Sequence, residues 1–70
     1  MNTSDLIKKE LARNQLAMWE NDLAQSVVDL ETSKRFGDRG GEEWYKEKIS
    51  FAQRKILELT EYLDQSRKGA

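Results

Sequence analysis

Seven positions in the second half of the chain, Tyr45, Ile49, Ala52, Ile56, Leu59, Leu63 and Ser66, recur in alternating steps of four and three. That spacing keeps one seam of a helix turned toward a partner helix. A chain of 70 residues has little else from which to build a core. The seam therefore predicts a helical hairpin that must bury this edge against something.

The breakers agree with two rods and one turn. There is no proline, and the internal glycines, Gly37, Gly40 and Gly41, all fall mid-chain. Helix 1 is expected from about residue 4 to Phe36, with the hydroxyl of Thr3 or Ser4 and the charge of Asp5 at its start. Lys34 and Arg35 suit its last turn, and Gly37 suits the left-handed position that closes a helix. The segment 37–41 reads as the turn. Helix 2 is then expected from Glu42 to about Lys68, with Gly69 ending it. At ~1.5 Å per residue the rods would be roughly 48 and 39 Å long. A short turn between rods of that size makes them antiparallel neighbours.

On helix 1 the apolar stripe expected to meet the seam is Ala12, Leu16, Trp19, Leu23, Val27 and Leu30. A second set, Ile7, Leu11 and Met18 with Phe36 in phase, lies well over a quarter turn away. Helix 2 likewise has a lateral set, Trp44, Phe51 and Tyr62, beside its main seam. Two helices touching only each other need one narrow stripe apiece, and these carry more. The surplus predicts self-association, with a homodimeric four-helix bundle as the simplest closed form. The six residues Ile7, Leu11, Met18, Trp44, Phe51 and Tyr62 are the expected association surface.

Composition argues against most chemistry. The chain has no histidine and no cysteine, so the usual general base, the nucleophilic thiol and ordinary zinc or iron–sulfur sites are all missing. Its acids, such as Asp22, Asp29, Glu47 and Glu58, fall mostly off the apolar seams, as on solvated helix faces. The glycine-rich turn lacks the lysine–hydroxyl ending of a phosphate loop, and Glu42 and Glu43 would repel an anion there. No catalytic residue, cofactor, metal or small-molecule substrate is expected, and the chain reads as a non-enzyme.

Charged residues make up 36% of the chain, and the net charge is −1. With a mean hydropathy of −0.87, no membrane-spanning stretch and no visible secretory leader, a small soluble, cytoplasmic protein is expected. The predicted role is a protein-binding hairpin, an adaptor, inhibitor or assembly factor, paired with itself or with another protein. The alternative is a regulatory nucleic-acid binder using the basic residues Lys34, Arg35, Arg39, Arg54 and Lys55. Cations near a helix C-terminus already account for Lys34 and Arg35 without any such role.

Overall fold

A computed structural model describes the backbone of residues 3–68 and the side chains of residues 3–65. The chain forms two helices, α1 (Thr3–Arg35) and α2 (Arg39–Lys68), folded back on one another as an antiparallel hairpin. The side chains of Ser66, Arg67 and Lys68, and all of Gly69, lie outside the described residues. Among the described residues there is no strand.

The turn is shorter than the glycines suggest. Only Phe36, Gly37 and Asp38 separate the helices, so the expected turn over 37–41 and the expected start at Glu42 are both corrected. Gly37 has φ +69°, the left-handed conformation that glycine adopts without steric cost. Around it the Asp38 amide donates to the Ser33 carbonyl at 2.9 Å and the Gly37 amide to the Lys34 carbonyl at 3.2 Å. These two bonds close α1 as a Schellman motif. Asp38 then caps α2 at once. Its Oδ1 accepts from the Gly41 amide at 3.0 Å, and its carbonyl accepts from the Glu42 amide at 2.9 Å. Glycine is a poor helix former, which is why Gly40 and Gly41 read as loop, but the aspartate N-cap offsets part of that penalty.

Gly41 is required for a different reason. A Cβ there would fall 2.8 Å from Ser33 Oγ and 2.9 Å from Asp38 Cγ, with Asp38 Oδ2 closer still. The end of α1 and the start of α2 approach through that gap.

The seam of α2 is as expected from Tyr45 to Leu63. Ala52 is fully buried, and Tyr45, Ile49, Ile56, Leu59 and Leu63 are half-buried. On α1 the buried line is Ala12, Leu16, Trp19, Leu23, Ser26, Leu30 and Ser33, again in steps of four and three. Val27 does not belong to it, since it is 47% exposed while Ser26 beside it is 1% exposed. Phase decides here over hydrophobicity. A small side chain lets the helices come together where the larger valine would hold them apart.

Among the described residues no large side chain is fully covered. Ala12, Ala52, Ser26 and Ser33 are the buried residues, and the largest with essentially no exposure is a serine. The radius of gyration is 15.9 Å, against about 11 Å expected for a globular domain of this length. The molecule is a rod of 52 × 16 × 13 Å, one helix pair thick.

Three substitutions test this fold by urea unfolding. Gly40→Ala meets nothing closer than 3.7 Å and should raise stability by about 0.5–1 kcal/mol through helix propensity. Gly41→Ala should lower it by about 1–3 kcal/mol by pushing Asp38 and Ser33 aside. The Ser26 hydroxyl is buried without a hydrogen-bond partner. Ser26→Ala should therefore stabilise by about 1 kcal/mol, and a loss of stability would show that the hydroxyl is satisfied.

Candidate interaction face

The six lateral residues are all substantially exposed, from Tyr62 at 40% to Ile7 at 62%. At 100° per residue, Ile7, Leu11 and Met18 lie some 90–130° behind the centre of the α1 seam. Trp44, Phe51 and Tyr62 lie about 100–120° behind the α2 seam by the same rule. Antiparallel helices wind in opposite senses when viewed down the rod, so equal offsets bring both sets onto one side. Contacts agree with this placement. Met18 and Trp19 share a shallow groove with Lys55 and Leu59, and Trp19 and Asp22 share the adjoining one with Trp44 and Phe51.

The second groove, about 650 Å³, holds the aromatic centre of the face. Phe51 sits edge-on against Trp19, with ring centroids 5.4 Å apart and planes at 69°. That geometry sets the positive edge of one ring against the negative face of the other. Lys55 lies 5.5 Å from the centroid of the Phe51 ring. Periodicity alone assigns Trp19 to the seam and Phe51 to the lateral set as separate surfaces. Here they touch, so the lateral face is continuous with the core. Trp19 is legible in the sequence as a core residue, but its role as the floor of the exposed face is not, because periodicity does not report contacts across helices.

Other exposed apolar residues, Leu6, Val27, Val28 and Leu57, lie away from this side by the same helical geometry. Leu6, the adjacent pair Val27 and Val28, and Leu57 lie apart from one another along the rod and are ordinary surface hydrophobics. The lateral set is different: its members all lie on one side of the hairpin, with Met18 in the groove that Lys55 and Leu59 also line. Phe36, 79% exposed, stands at the turn end.

Charges run along the middle of this side. Asp22 and Asp29 on α1 and Lys48 and Lys55 on α2 lie about 60–90° behind their seams, between the two apolar rows. Lys48 Nζ reaches Asp22 Oδ1 at 3.5 Å, an ion pair that joins the two helices. Asp29 accepts from the side-chain amide of Gln25 at 3.1 Å, and Lys55 pairs with Glu58 at 3.6 Å. Among the described residues no group of three or more acidic side chains is placed to hold a metal ion. No described helix is long and apolar enough to cross a membrane.

The five basic residues expected as a nucleic-acid surface do not converge. Lys34 is within 4.0 Å of Glu31 at the turn, and Lys55 lies on the apolar face. Arg54 is about 22 Å along α2 from Arg39 at ~1.5 Å per residue. Arg35 and Arg39 flank the turn with Lys34, which leaves a small basic end and no basic stripe.

Both members of the Asp22–Lys48 pair are about one-third exposed, so solvent screens it strongly. Asp22→Asn should cost less than ~1 kcal/mol in low salt, and the difference should vanish in molar salt. A loss that persists in high salt would mean that Asp22 acts through packing. No protein-family model matches the chain, and no curated protein or solved structure matches it either.

Proposed function

We propose that this hairpin is a non-catalytic protein–protein interaction module that works through the lateral face and pairs with a second copy of itself. In that role it would serve as an adaptor, inhibitor or assembly factor with a regulatory effect on what it binds, in the cytoplasm. One observation supports this above the rest. Ile7, Leu11, Met18, Trp44, Phe51 and Tyr62 are all exposed on one side of the hairpin, while no large seam residue among the described residues is fully buried. Large apolar side chains gathered on one side suit an association site better than scattered ones do. A four-helix bundle would give each helix a second neighbour and cover this side.

Light scattering tests the reading. The native chain should have twice its 8.2 kDa mass at tens of micromolar. Trp44→Glu and Phe51→Glu should each return it to the mass of one chain with helicity largely retained, because a charge cannot be buried in the joint without a partner. Trp44 is the cleaner site, since Phe51 also packs on Trp19. A native chain that stays at single-chain mass while fully helical would overturn the self-pairing.

A further inference from the structure

We infer that the Asp22–Lys48 ion pair limits and selects the association: it lies inside the joint, so the second copy can cover the face only while both charges neutralise each other. This rests on the self-pairing proposed above and names the residues that restrict it. The surface available fits a second copy. The chain exposes 5515 Å², about 1,000 Å² more than the ~4,500 Å² expected for a globular protein of its mass. A standard association covers about 800 Å² on each partner.

The pair lies where a partner must cover it. Asp22 and Lys48 line the same groove as Trp19, Trp44 and Phe51. By helical phase they stand between the apolar row of α1 and that of α2. A helix-sized partner resting on both rows closes over the two charges. The other charges nearby have ways out to water. Glu47 and Arg54, which also line the groove, lie on the outer side of α2 by phase. Lys55 and Asp29 lie between the rows, but their partners, Glu58 and Gln25, sit nearer the rim and on their own helices. Asp22–Lys48 is the ion pair that bridges the helices in the groove.

In a lone hairpin this pair contributes little. Nζ and Oδ1 are 3.5 Å apart, and each side chain keeps about one-third of its surface in water. A second copy removes that water. Two charges taken out of water are tolerated while they neutralise each other, and apolar groups of similar volume often do as well or better. Removing one partner leaves an uncompensated charge against apolar surface, which is far worse. The two members are not equivalent. Lysine can bend its long stem and carry the ammonium to the edge of a joint. Aspartate is too short for that, so a lone Asp22 is the more damaging orphan. Charges set within an apolar face weaken every association that covers them, which keeps this face from binding apolar surfaces indiscriminately.

Sedimentation equilibrium on the full chain measures the dissociation constant of the two copies. Lys48→Met, which orphans Asp22, should raise it at least about tenfold, and Asp22→Leu should raise it less. The double variant Asp22→Leu/Lys48→Met should bind at least as tightly as the native chain. The signs carry the test, because each single variant adds apolar surface and would tighten a joint that left these charges in water. Single variants that bind as tightly as the native chain or tighter, or a double variant that binds more weakly than native, would overturn the inference. Circular dichroism should show native helicity in both single variants. A loss of helicity would mean that the pair holds the hairpin itself, and would overturn the inference as well. A native chain of single-chain mass rejects the self-pairing and this inference with it, whereas a native dimer with normally associating single variants rejects only the part given to the pair.

Discussion

Two helices in contact can enclose only what lies on the line between them, and this hairpin fills that line with its smallest side chains. Ala12, Ser26 and Ser33 on α1 and Ala52 on α2 are buried, and Gly41 opens the gap by which α2 begins beside Ser33. Close approach follows from their size. The larger residues of both seams are left flanking the contact, half-covered. Their outer surfaces run into the lateral face, as the Trp19–Phe51 pair makes concrete. The exposed apolar side is thus the edge of the same core, continued past the point where two helices can cover it.

The turn enforces this closeness. A left-handed Gly37, the Schellman bonds around it and the Asp38 cap reverse the chain in three residues. A longer loop would let the rods splay and admit larger side chains between them. Asp38 serves both helices: its amide closes α1, and its carboxylate and carbonyl open α2.

Much of this is legible in the amino-acid order, because coiled-coil spacing is a purely geometric signal. Tyr45 through Leu63 lie where their four–three rhythm places them, and α1 ends within a residue or two of its glycine signal. What misleads is chemistry set against geometry. Val27 looks like core and Ser26 does not, yet the rhythm through Ala12, Leu16, Trp19 and Leu23 lands on Ser26. Likewise Gly40 and Gly41 look like loop, and only the aspartate ahead of them reveals the helix start. The lateral residues can be identified from one helix at a time. That both sets share one side of the hairpin, and that Asp22 and Lys48 pair across the helices between them, depends on the antiparallel pairing and emerges only from the folded chain.

If the half-covered core is completed by a second copy, folding and association draw on the same contacts, and stability must depend on protein concentration. Thermal unfolding followed by circular dichroism from micromolar to millimolar chain measures this directly. The melting temperature should climb steadily across that range. A melting temperature that stays constant over the whole range would mean that one hairpin is stable with its apolar side in water, which contradicts a core completed by association.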